Sequence, residues 1–291
     1  TLFQQCTQYA GVQDNIDLNG EFTTTQSDLQ GIGGFNGGNP ALGEETADVW
    51  TVGAVFDPDF IPGLTITGDY WNYEITDVIA SPPRPFILDQ CFNQGDNNFC
   101  NFVTRRAAGT ATNSAGSIEF VNALLVNSAS LETDGFDITA NYTRDLLGGR
   151  MTLNGAYTHI LNYDFQPTPV AAIDRQDGEI GTAADKFTIN TAWQNDQIRL
   201  SATTTFIGRS REDDQGSFPD ESVPAETYVD LQATWFVSDE VEWYFGVDNV
   251  LDNSAPNLLS FTTFNVTGTD TAADVYDVFG RSYYTGLRLR F

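Results

Sequence analysis

The stretch Asp185-Lys186-Phe187-Thr188-Ile189-Asn190-Thr191-Ala192-Trp193-Gln194 decides the fold. Phe187, Ile189, Thr191 and Trp193 are mostly apolar, and Lys186, Thr188, Asn190 and Gln194 between them are polar. A period of two sends successive side chains to opposite faces of a strand, so this segment has one greasy and one wet face. Asn195-Asp196 supplies turn chemistry, and the period then resumes. Ile198, Leu200, Ala202 and Phe206 alternate with Arg199, Ser201, Thr203, Thr205 and Arg209.

The same pattern recurs outward from this hairpin. Val229, Leu231, Ala233 and Trp235 alternate with polar residues, as do Trp243, Phe245 and Val247; upstream, Phe136, Ile138, Ala140 and Tyr142 do so again. The period predicts nine strands, roughly 48–57, 64–78, 130–144, 150–163, 185–194, 197–211, 226–236, 241–250 and 281–291, and helical periodicity is nowhere sustained. Short connections (57–63, 147–149, 195–196, 238–240) alternate with long ones (79–129, 162–184, 212–225, 251–280). Short turns at one end and long loops at the other predict an all-β transmembrane antiparallel barrel of the outer-membrane kind. Phe56, Tyr142, Trp193, Trp235 and Trp243 lie on the apolar face near short turns and, with Phe291, are expected to form the inner aromatic girdle.

Composition excludes other classes. Thirteen basic against forty acidic side chains give a net charge of −27, unsuited to general nucleic-acid binding. No apolar run approaches the roughly 20 residues of a spanning helix. Thr1-Leu2-Phe3 has no basic or apolar leader, so an export signal is expected upstream. Parity adds an expectation: if the last of nine antiparallel strands ends in the periplasm, the first starts outside, whereas complete bacterial single-chain barrels have an even count. Further strands are therefore expected upstream, residues 1–46, rich in Gly31, Gly33, Gly34, Gly37 and Gly38, being read as an extracellular loop segment and 47–291 as the C-terminal part of the barrel.

Four segments resemble one family. Gly38-Asn39-Pro40-Ala41-Leu42 through Trp50-Thr51-Val52-Gly53 resembles a segment of TonB-dependent receptors, and Ser130-Leu131-Glu132-Thr133-Asp134-Gly135-Phe136-Asp137 resembles one of their strands. Gly246-Val247-Asp248-Asn249-Val250-Leu251-Asp252-Asn253 is similar to their penultimate stretch, and Gly280-Arg281-Ser282-Tyr283-Tyr284 through Phe291 to their C-terminal signature. The resemblance implies a 22-stranded barrel of which this chain supplies the last nine or so strands. It also implies a plug domain, absent from this chain, through which the TonB energy-coupling complex is contacted. Its implied partners are the rest of the same receptor, outer-membrane lipid and lipopolysaccharide, and a small-molecule nutrient.

Site chemistry is sparser. Cys91 and Cys100 are predicted to pair in the longest loop, as an oxidising compartment allows, leaving Cys6 over. The single histidine, His159, falls on the outward face near the outer rim and supports no catalytic constellation. Acids concentrate in long loops: Asp174, Asp177 and Glu179; Glu212, Asp213, Asp214, Asp220 and Glu221; Asp270, Asp274 and Asp277. Solvation accounts for most of them; Ca²⁺ or Mg²⁺ binding is the alternative, without EF-hand spacing and without a named site. No other metal or cofactor is expected. Asp69, Trp71, Tyr73, Asp137, Arg199, Arg209, Arg211, Tyr228 and Asp230 are expected to line the lumen, where aromatic and polar groups suit a sugar or polar nutrient better than an anionic ferric chelate. The expectation is active nutrient uptake, of a carbohydrate or siderophore-type ligand, without covalent chemistry. The competing readings are a passive porin-like or structural barrel, and a surface enzyme or adhesin on a short closed barrel.

Overall fold

The computed structural model describes residues 7, 9–30, 32–213, 221–258 and 270–290. Cys6, Gly31, Asp214, Asp220 and Phe291 lie outside the described residues. The nine expected strands form: β1 (Thr46–Phe56), β2 (Leu64–Ala80), β3 (Val126–Leu146), β4 (Gly149–Gln166), β5 (Asp185–Gln194), β6 (Ile198–Ile207), β7 (Glu226–Ser238), β8 (Val241–Asp248) and β9 (Ser282–Leu289). They follow one another in a single sheet in chain order, each beside its sequence neighbours. β1 and β9 stand at the two ends of that order and are not paired with each other among the described residues, which removes the short closed barrel.

Register follows the period-two pattern. Trp193 lies opposite Met151 and Leu200, Ile198 opposite Trp235, and Trp235 opposite Trp243, which in turn meets Leu287. Phe187 stacks on Phe206, their ring centroids 4.8 Å apart. This face is apolar yet open: Trp50, Val52, Phe136, Leu200, Leu231, Phe245 and Leu287 are all exposed. Water does not tolerate so continuous an apolar surface, whereas hydrocarbon requires one. Among the expected girdle residues, Phe56, Trp235 and Trp243 are about half exposed, Tyr142 and Trp193 less so. Trp193 also donates its indole N–H to the Leu146 carbonyl at 2.8 Å, tying the strand end to the neighbouring turn.

β6 is shorter than the expected 197–211. Gly208 donates to the Asp185 carbonyl (2.8 Å), and beyond it Ser210–Arg211 pairs instead with Ser222–Val223 in the loop. The chain exchanges ladder bonds for loop bonds there, a change that alternation alone does not register.

The chain divides into two compact units, one of 1–46, 75–130 and 166–171, the other of 47–74, 131–165 and 172–291. The first holds structure that periodicity missed: helices α1 (Ala10–Asn19), α2 (Gln26–Leu29), α3 (Arg84–Asp89) and α4 (Asn97–Cys100), with a π-turn at Gln90–Gln94 between the last two. α1 has no amphipathic stripe to advertise it. Tertiary contacts hold it, with Val12 buried and buried Asn15 bonded to the Thr23 and Ala115 carbonyls. Ile87, Val103, Val121 and Ala123 form this unit's core, and the Cys91–Cys100 disulfide closes beside them with its Cα atoms 4.8 Å apart. In the second unit a separate cluster (Ala183, Ile207, Val223, Tyr228, Leu258, Ala272, Tyr276) binds three long loops together. Burial there pushes the Tyr276 phenol up, a hydrogen bond with Ser210 opposing the shift and the Glu226 carboxylate adding to it.

Candidate lumenal site

The polar face of β6 to β9 carries the site. Even-numbered positions of β7, β8 and β9 share it, so Tyr228, Asp230, Asp248 and Ser282 project to one side, with Thr205 of β6. At the long-loop end these residues, with Asp277, Phe279 and Gly280 from the last loop, line a cavity of about 480 Å³. Asp230 Oδ1 accepts from the Asn249 amide (2.8 Å), and Asp277 Oδ2 accepts from the Asn249 side chain (3.0 Å). Asp277 Oδ1 takes the Phe279 amide (2.9 Å), and Asp248 Oδ2 accepts from the Ser282 hydroxyl at 3.3 Å. Asn249, buried at a positive φ of 47°, is thus the hub that aims two carboxylates. Among the described residues Asp230, Asp248 and Asp277 have no cationic partner, so the wall is anionic.

Below the cavity Tyr244 and Tyr284 lean on each other (centroids 6.3 Å apart), and Tyr284 donates to Gln232 Oε1 at 3.0 Å. Each ring lies over a glycine of the facing strand, Tyr244 over Gly286 and Tyr284 over Gly246, positions where any β-carbon would collide with the ring. The chemistry available is stacking, hydrogen bonding and attraction of positive charge.

Of the residues expected to line the lumen, Tyr228 and Asp230 meet in this cavity. Asp69, Trp71 and Tyr73 sit on β2, five strands away in the sheet order, where Trp71 and Tyr73 pack with centroids 5.7 Å apart. Asp137 accepts from Thr158 at 2.6 Å. Arg199 is at the short-turn end, lining an open hollow with Arg150, Thr152 and Gln194, and its guanidinium makes no hydrogen bond or ion pair among the described residues. Arg209 and Arg211 lie past the end of β6: Arg209 reaches Ser222, and Arg211 is held by the Asp177 and Arg175 carbonyls (2.6 and 2.5 Å) and by Glu179 at 3.6 Å. Asp248 and Ser282 were legible as wet-face positions, but Asp277 and Phe279 come from a loop without a period. Of the acidic loop residues, Asp174, Glu179 and Asp213 bring carboxylate oxygens within 4.8 Å of one another, with the Arg211 guanidinium already beside Glu179. His159 Nδ1 pairs with Asp185 Oδ1 at 2.8 Å, and Tyr157 donates to the same oxygen at 2.6 Å.

A family model described as TonB dependent receptor-like, beta-barrel, matches residues 8–250. Among solved structures, the chain is similar to a mutant (G324V) of the ferric enterobactin receptor PfeA from Pseudomonas aeruginosa, at 16% identity and a TM-score of 0.55, covering 87% of this chain and 32% of that one. It is similar to the siderophore receptor PirA from Acinetobacter baumannii (15%, TM-score 0.55, 86% and 32%) and to the FrpB iron transporter from Neisseria meningitidis (14%, 0.55, 89% and 32%). The chain therefore spans about a third of the length of the solved receptors it matches. No curated protein matches it in sequence.

Proposed function

The chain belongs to the TonB-dependent receptor family as part of its outer-membrane β-barrel, and on that premise we propose that it serves TonB-energised uptake of a nutrient from outside the cell. The observation that carries the ligand reading is the anionic cavity under the long loops, where Asp230, Asp248 and Asp277 have no cationic partner among the described residues and stand beside Tyr228 and the exposed Phe279 ring. A trianionic ferric chelate meets repulsion at such a wall, while a neutral sugar finds acceptors and rings to stack on. The reading is uptake of a polar, uncharged or cationic nutrient such as an oligosaccharide, without covalent chemistry. Its partners are a plug domain, the TonB complex acting through that plug, the remaining barrel strands, and phospholipid and lipopolysaccharide around the apolar belt.

The test is uptake by cells producing the whole receptor, with and without TonB, of radiolabelled maltodextrins and of ferric enterobactin. TonB-dependent sugar uptake that Asp230→Asn with Asp248→Asn lowers supports the reading. Equal flux without TonB favours a passive barrel, and uptake of ferric enterobactin alone overturns the ligand assignment.

A further inference from the structure

The lipid-facing belt carries a notch at β7. On β7 the small side chain of Ala233 lies in register between Leu200 of β6 and Phe245 of β8, and one row nearer the short turns Ile198, Trp235 and Trp243 stand abreast. A methyl group between two large neighbours leaves a gap, and an apolar notch of about 180 Å³ opens there, bounded by these six side chains. Its wall is preformed. Trp243 donates its indole N–H to Thr285 Oγ1 (2.8 Å), that hydroxyl donates to the Tyr244 carbonyl (2.8 Å), and the Trp235 and Trp243 rings lie 6.4 Å apart.

We propose that this notch seats one acyl chain of a phosphatidylethanolamine molecule from the periplasmic leaflet. The inference rests on membership of the outer-membrane family and is independent of the nutrient reading. Three observations select the occupant. The notch is on the face that the membrane covers, so hydrocarbon rather than water fills it. It lies near the short-turn end, beside the Ser238–Val241 connection, which places it in the leaflet built of glycerophospholipid. The turn just beyond presents Asp239 and Glu240, while the arginines of the adjoining strand, Arg288 and Arg290, are engaged by Glu242 on the polar face, so the carboxylates of the turn attract an ammonium headgroup and repel an anionic one. The two tryptophans stand between headgroup and chain, the depth at which indoles settle.

The experiment is native mass spectrometry of the whole purified receptor titrated with palmitoyl-oleoyl phosphatidylethanolamine. One molecule should bind well above the non-specific background. Ala233→Phe, which fills the notch, should weaken that first binding about tenfold, the order expected from excluding about two methylenes. Ala140→Phe, on the apolar face of β3 and three strands from β6, should leave it unchanged. Should Ala233→Phe fail to fold, judged by heat-modifiable migration, Trp235→Leu opens the wall and should weaken binding likewise. Asp239→Asn with Glu240→Gln should erase the preference over palmitoyl-oleoyl phosphatidylglycerol. Equal binding by wild type and Ala233→Phe overturns the site, and retention of lipopolysaccharide in place of phosphatidylethanolamine overturns the leaflet assignment.

Discussion

Asp28 is the fastener of the first unit, and replacing it should loosen that unit in a pH-dependent way. Its side chain is 3% exposed. Oδ2 accepts from the Thr25 amide (2.9 Å), the Thr25 hydroxyl (3.0 Å) and the Ser114 amide (3.0 Å), and Oδ1 accepts from Asn113 Nδ2 at 2.8 Å. Arg106 stands 3.9 Å away. The residue closes the capping box of α2 and at the same time ties it to the 110–116 turn. Burial by itself raises this carboxyl, but the bonds from the Thr25 backbone, Asn113 and Ser114 outweigh it and hold the group far below the usual carboxylate range. Hydrogen bonds to a charged group contribute about 1.5–3 kcal/mol each net of exchange with water, so Asp28→Asn, which keeps the shape but loses the charge and one acceptor, should cost about 3 kcal/mol. The sign follows from the depressed folded value. The contribution is fully present above the unfolded carboxylate's pKa of about 3.9 and is lost as pH falls through the lower folded value. The assay is amide hydrogen exchange in α1 and in residues 112–117 of the whole receptor, corrected for intrinsic rates. At pH 7 Asp28→Asn should lower protection about 100-fold, the equivalent of about 3 kcal/mol. Protection within threefold of wild type, or wild-type protection that stays constant from pH 7 down to pH 2, would refute the reasoning.

Three further outcomes are expected. Cys91→Ser with Cys100→Ser should destabilise the first unit by about 2–3 kcal/mol, read as faster proteolysis of the 81–125 loop, because a short covalent ring no longer restricts the unfolded chain; unchanged proteolysis would count against it. Glu242 is nearly buried between Arg288 at 3.0 Å and Arg290, both about two-thirds exposed. Glu242→Ala should lower stability by about 1–2 kcal/mol, less than for a fully buried pair because water recovers the arginines, and an unshifted urea midpoint would contradict the clamp. Leu147 holds φ at 55° in the β3–β4 turn, a conformation that costs a leucine about 1 kcal/mol, so Leu147→Asn should raise the urea midpoint, and a lowered one would argue for a contact made by the leucine itself.

The polar-face residues show where legibility stops. Tyr228 and Asp230 could be placed together because β7 keeps its alternation through them, and Asp248 because β8 does the same. Asp277 and Phe279 could not, since their position depends on the Asn249 side chain, just past the end of β8, reaching Asp277 near the far end of the same loop, a contact across 28 residues that no local period encodes. Arg211 illustrates the converse. It continues the wet-face parity of β6, yet the backbone leaves the ladder at Gly208 and the guanidinium is consumed by loop carbonyls.

By itself the sequence determined the nine long strands of the sheet, their order of connection, the alternation of faces along them and the family resemblance, because alternation and turn chemistry are local and a one-residue slip would expose every buried group to the wrong solvent. It also marked the two cysteines as a pair. Tertiary structure alone decided that the N-terminal residues fold with the 75–130 loop, that three loops share an apolar cluster, and which carboxylates gather in the cavity. These outcomes depend on contacts between segments far apart in the chain, whose closure is driven by burial and hydrogen bonding that have no signature in any short window of residues.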